Sequence, residues 1–178
     1  MTDPRIWTRQ GFVSDDTWQV VEFQEELPDG DIIVPLEAFV ALSDEQRNGV
    51  GVSPGRNTRR IGVLIAPDDD PETIADMLGD IALVAVAFPK FSDGRGFSHA
   101  AMLRGQLGYT GELRAVGDVL IDQIPLMLRV GIDSFAVSSE PTLKRLEEGR
   151  IGGISLHYQP AALPAAETRG YSWRRRSA

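Results

Sequence analysis

"RIGVLIAPDDDPETIADMLGDIALVAVAF", residues 60–88, decides how this chain folds. Residues 60–66 are a short, β-branched apolar run of strand length. Acidic residues and Pro71 follow, placed where a helix N-terminus favours negative charge and a pre-set φ. Residues 81–88 are then a second buried strand. Strand, helix of modest length and strand make one βαβ unit, which requires parallel pairing through a right-handed crossover.

The same rhythm continues towards the C-terminus. Residues 97–108 read as a helix, 112–118 as a strand, 119–131 as a helix and 133–138 as a strand. A fourth helix over 140–150 opens with Pro141 and closes near Gly149, and a last strand over 151–159 ends the series. Towards the N-terminus the pattern differs. Residues 17–23 alternate like a strand, "LPDGD" is a turn, 31–36 is a second strand and 36–42 has helical spacing. A glycine-rich loop over 47–57 separates this part from the βα units. The sequence therefore predicts an α/β fold of alternating βα units with a parallel sheet, preceded by a short β-rich N-terminal segment. Half a (βα)-barrel and an open doubly wound sheet both share this rhythm. Residues 1–57 are expected as a β-rich extension packed on the main domain, 58–160 as the α/β domain and 161–178 as a flexible basic tail.

The bulk properties narrow the function classes. The 178 residues suit one domain. The net charge is −8, and it is uneven: residues 161–178 carry +3, leaving −11 on residues 1–160. That balance argues against general nucleic-acid binding, which depends on neutralising phosphates. There is no cysteine, which excludes disulfides, thiolate catalysis and cysteine-ligated clusters within this chain. The first residues lack an apolar stretch of leader length, and no run is long enough to span a bilayer. A cytoplasmic protein without a membrane segment is expected.

In either parallel architecture the functional groups gather at the C-terminal ends of the strands. Residues 68–70, 89–96, 117–118 and 138–140 would share that rim. Within it, "FPKFSDGRGFS" (88–98) joins a strand to a helix, with Gly94 and Gly96 flanking Arg95. Glycines let backbone N–H groups turn towards a ligand, and Lys90 and Arg95 would complete an oxyanion or carboxylate site. The alternative is purely structural: Asp93-Gly94 as a turn, Ser98 as helix cap and Arg95 paired with a carboxylate. Neither a dinucleotide fingerprint nor a P-loop is present.

"GELRAVGDVLIDQ" (111–123) offers a second constellation. If its helix begins near Asp118, then Asp118 and Asp122 share a face. They would hold a divalent cation or supply a general base, or else Asp118 caps the helix. No third hard ligand is evident, so no metal is expected. Arg114 lies within a strand among apolar neighbours and needs a carboxylate partner if buried; Asp93 and Asp118 are the candidates. Asp93 and Asp118 are also the acid/base candidates for catalysis. The candidate ligand-binding set is Lys90, Asp93, Gly94, Arg95, Gly96, Arg104, Arg114 and Asp118. The two histidines, His99 and His157, form no recognisable nucleophile–base arrangement.

The run from Leu83 to Gln123, followed by "RVGIDSF" (129–135), closely resembles a bacterial family filed as a domain of unknown function. Its members are often labelled as oxidoreductases involved in sulfite reduction. The resemblance spans residues 31–159 and is most specific in "FPKFSDGRG", "LRGQLGYTGELRAVGD" and "LIDQ". It implies a role in sulfur assimilation, beside the haemoprotein subunit of assimilatory sulfite reductase. Where the family often carries a cysteine, this chain has Val130. No flavin, nicotinamide, haem or cluster motif accompanies the label, so no cofactor is expected. The expectation is an accessory protein of assimilatory sulfite reduction that binds the reductase haemoprotein or an anionic ligand at the rim. The alternatives are an enzyme acting on a small anion with a carboxylate acid/base, and a purely structural subunit. A homodimer is also expected, since either sheet leaves edges to cover.

Overall fold

The structure is a computed structural model that describes residues 3–21, 28, 30–47 and 60–152. Most of the glycine-rich loop, His157, the tail over 161–178 and all but the start of the 151–159 strand lie outside the described residues. Eight strands are seen: β1 (Arg5–Thr8), β2 (Gly11–Phe12), β3 (Gln19–Val20), β4 (Ile32–Pro35), β5 (Ile61–Ile65), β6 (Leu83–Phe88), β7 (Glu112–Gly117) and β8 (Ser134–Val137). They form one mixed sheet in the order β2-β1-β8-β7-β6-β5-β4-β3. From β3 to β8 every pairing is parallel, whereas β1 runs antiparallel to both β8 and β2. Successive parallel strands are neighbours, with no reversal of order. A doubly wound sheet reverses at a switch point, so of the two architectures the curled half-barrel is the one observed. The N-terminal strands belong to this same sheet.

The helices are α1 (Leu36–Ala41), α2 (Asp44–Arg47), a 3₁₀ helix (Pro71–Asp80), α3 (Arg95–Gly105), α4 (Ile124–Arg129) and α5 (Glu140–Glu147). Strand alternation sends Val84, Val86 and Phe88 of β6 into the main core, where Leu103 of α3 and Met127 of α4 pack. Leu83 and Ala85, facing the other way, join Ile33 in a second cluster covered by Trp18, Leu64 and Val116. Helices thus cover the convex face, and the concave face is apolar over β4 to β6. That is why those strands are apolar on both sides rather than alternating. Burial of Phe88, 1% exposed, stabilises the fold by about 1.5–3 kcal/mol.

Several local expectations are corrected. Residues 71–80 form a 3₁₀ rather than an α-helix; Pro71 and Ile74 are buried and Met77 packs on the core, a spacing of three that suits three residues per turn. Asp70 caps it, accepting from the Glu72 N–H at 3.0 Å. Helix α3 starts at Arg95, so Ser98 lies inside it and caps nothing; Gly94 occupies the cap position. Helix α4 is short because Pro125, lacking an N–H, is tolerated only in its first turn. Residues 118–123 form turns instead, so Asp118 and Asp122 do not share a helical face. The edge of β8 that a final parallel strand would use is occupied by β1, with Arg5 opposite Val137 and Trp7 opposite Phe135. The Trp7 and Phe135 rings lie 5.6 Å apart, which fixes that pairing.

Candidate functional site

The predicted site residues divide between the two ends of the sheet. Arg114 belongs to the end where the strands begin. It points with Glu112 onto the concave face of β7, opposite Ser134 at the start of β8. Its guanidinium is forked on Asp16, with Nη1 donating at 2.9 Å and Nη2 at 2.6 Å. Nη2 also donates to Glu112 at 2.8 Å, and Nε reaches the Ser134 hydroxyl at 3.3 Å. The side chain is 4% exposed. Burial by itself would lower its pKa, but the Asp16 hydrogen bonds and the Glu112 charge outweigh that and raise it. The expected partners, Asp93 and Asp118, are therefore replaced by Asp16 and Glu112. Arg114 ties residues before β3 across the open face and is not a rim residue.

Beside it, Arg60 grips Asp31 and lies over the Trp18 ring, 4.9 Å from its centroid. Hydrogen bonds from Arg60, against an opposing effect of burial and with help from Thr17, hold the Asp31 carboxyl down at about 2.

Arg104, at the C-terminal end of α3, also turns away from the rim. Nε donates to the Gly131 carbonyl at 2.8 Å, and Nη1 donates to the Tyr109 and Gly111 carbonyls, the latter at 2.9 Å. Nη2 pairs with Asp133, which in turn accepts the Leu113 N–H at 2.9 Å. This clamp fixes the entry to β7 and explains Gly131: a Cβ there would lie 2.6 Å from Cγ of Arg104. Val130, next to it, is half-buried against the core.

The rim holds the remaining candidates. Gly96 is buried because a Cβ would meet the Phe88 ring at 2.8 Å. Gly117 adopts φ +99°, and a Cβ there would sit 2.5 Å from the Phe88 carbonyl oxygen. That carbonyl accepts the Asp118 N–H at 2.7 Å. Both glycines therefore serve the close approach of β7 and α3 to the end of β6. Gly94 has open space around it.

Arg95 is exposed but committed. Nε and Nη2 fork onto Asp93 at 3.0 and 2.8 Å, and Nη1 pairs with Asp68. Asp93 also accepts the Arg95 N–H at 3.2 Å. The Arg95 hydrogen bonds hold the Asp93 carboxyl down at about 2. His99 is kept below its ordinary pKa first by burial, with Asp69 opposing and Arg95 adding to the shift; its Nδ1 is buried without a partner.

What this rim presents outwards is carboxylates and one aromatic ring. Asp68, Asp70 and Asp118 are exposed, and so is Phe91 at 57%. Lys90, beside Phe91, is exposed as well. Beneath Phe91 lies Gln123, 7% exposed, whose Nε2 donates to the Phe91 carbonyl at 3.3 Å. Its Oε1 is buried and accepts nothing. Phe91 and Gln123 were not singled out from sequence. Both sit among glycines and charged residues whose chemistry is the more conspicuous in sequence. Among the described residues no group of three or more histidines and carboxylates is placed to hold a metal ion, and no helix is long and apolar enough to cross a membrane.

Fold and rim together define a small α/β half-barrel whose rim carries exposed carboxylates, an exposed lysine and an exposed aromatic side chain. The chain belongs to a bacterial family described as "Bacterial protein of unknown function (DUF934)", whose family model matches residues 62–167, more than half of the chain. The match runs from the second residue of β5 through α5 and therefore includes every rim residue discussed above. Neither a curated protein nor a solved structure matches the chain.

Proposed function

We propose that this protein is an accessory factor of assimilatory sulfite reduction that docks on the reductase haemoprotein through its rim. The resemblance noted above supplies the partner, and the observation that carries the mode of action is Phe91. A large apolar side chain 57% exposed on a loop, on a rim that also carries exposed carboxylates, has the make-up of an interface anchor. A basic, partly apolar patch is what such a surface accepts. The other half of the expectation, an anion held by Arg95, is less well supported. All three nitrogen positions of that guanidinium are engaged by Asp93 and Asp68, so an incoming anion would have to displace two carboxylates.

The test is capture of the haemoprotein by the tagged chain from cells assimilating sulfate, with Phe91→Ala and Asp68→Lys in parallel. Recovery of the haemoprotein with the parent chain and its loss with both variants is the expected result. Equal recovery by all three chains would remove the rim from the proposal, and no recovery by any would remove the partner.

A further inference from the structure

The rim that supports docking has an occupant closer to hand than any partner. We propose that residues 169–176 of the same chain, "RGYSWRRR", dock on the Phe91 face of the rim and compete there with the partner. This rests on the reading of the rim as a docking face and adds how that face is regulated.

Charge points to it first. Residues 161–178 carry +3 and residues 1–160 carry −11. The described rim places part of that negative charge at Asp68, whose side chain is 88% exposed, and at Asp70 and Asp118. The segment also brings Tyr171 and Trp173, rings of the kind that pack on an exposed Phe.

Reach is sufficient. Arg5 lies opposite Val137, the last residue of β8, and its Nη1 pairs with Glu147 of α5 at 2.6 Å. The described chain stops at Gly152, five residues beyond Glu147. Residues 153–168 can extend over roughly 50 Å, against about 20 Å for the length of a six-residue strand.

A guanidinium is a donor-rich group of the kind that exposed carboxylates such as Asp70 and Asp118 accept.

The chain has no cysteine, so Ser177→Cys gives a single attachment point for a nitroxide on the full-length protein. The readout is paramagnetic broadening of backbone amides. Selective loss of the Phe91, Gly94 and Asp118 signals is expected at low salt. It should be reversed at 1 M salt, where the Debye length is about 3 Å, and by reversing the charges of Arg174, Arg175 and Arg176 to glutamate. Absent broadening, broadening spread evenly over the surface, or broadening indifferent to salt would overturn the inference. So would broadening that appears only between a labelled and an unlabelled copy. The salt series uses the chain without rim substitutions, so it does not depend on any variant folding. Partner capture is read separately: the charge-reversed chain should capture more haemoprotein than the parent. If neither captures it while the broadening stands, the partner assignment falls and the tail assignment survives.

Discussion

Arginines at the two ends of this sheet do opposite jobs. Where the strands begin, Arg114 is 4% exposed and saturated by Asp16, Glu112 and Ser134, and Arg104 holds three carbonyls together. Where the strands end, Arg95 is half exposed and paired with carboxylates that are themselves partly in water. The same side chain in the same stretch of sequence is thus a buried tie at one end and a surface charge at the other. What separates them is which face of a strand or helix each occupies.

Breaking the buried tie should cost most. Arg114→Ala removes the guanidinium that Asp16 and Glu112 share and leaves those partly buried carboxylates facing each other, and stability measured by denaturant titration should fall by about 3 kcal/mol. Arg114→Lys should recover only part of this, because a single ammonium cannot reproduce the fork on Asp16. Arg104→Ala comes next. It strands the Tyr109, Gly111 and Gly131 carbonyls and frees Asp133, for an expected loss of about 1.5–3 kcal/mol in the same assay.

The two depressed carboxyls sharpen the comparison further. Asp31 near the strand starts and Asp93 at the rim are both held at about 2 by an arginine. A folded pKa below the unfolded value of about 3.9 means that the stabilisation is complete above that value. It is lost as pH falls through about 2. Carboxyl titrations followed by carbon NMR should show Asp31 and Asp93 moving upward by similar amounts in high salt, since their side chains are 13% and 17% exposed and their arginines 54% and 52%. Movement of one without the other would mean that the two pairs are electrostatically unlike. The smallest effect belongs to Arg95→Ala: the denaturation midpoint should stay in place while Asp93 returns towards the ordinary carboxyl range. A large loss of stability there would erase the distinction between the ends.

The fold was legible where hydrophobic runs were long. The run over 60–88 and its successors predicted β5 to β8 in order because strands covered on both faces leave an unmistakable apolar signature. Between half-barrel and doubly wound sheet the sequence was silent, since strand order is written in tertiary packing and not in periodicity. It also missed β1 and β2, whose four and two residues carry too little pattern. Their placement depends on Trp7 meeting Phe135, a contact far apart in sequence. For the site, the rim loops were found from the βα rhythm alone, and Lys90, Asp93, Arg95 and Asp118 are on them. Arg104 and Arg114 were misplaced because a charge in a sequence does not announce its direction. A guanidinium in an apolar strand looks the same whether it faces a ligand or an aspartate nearly a hundred positions away. Gln123 escaped because an amide draws notice only once its burial is known.

One consequence follows from β1 sealing the outer side of β8. Strand β1 is made well before β8, its partner in the sheet, and cannot take its place until Ser134–Val137 has emerged. Until then β7, the outermost of the parallel strands already made, presents a bare edge, the kind of surface that invites pairing between nascent chains. Closing that gap joins distant segments and makes the final step slow relative to the local βα units. The N-terminal hairpin therefore acts in biogenesis as a late-arriving cover. Deleting it should show first as aggregation during synthesis, before any deficit in the finished rim.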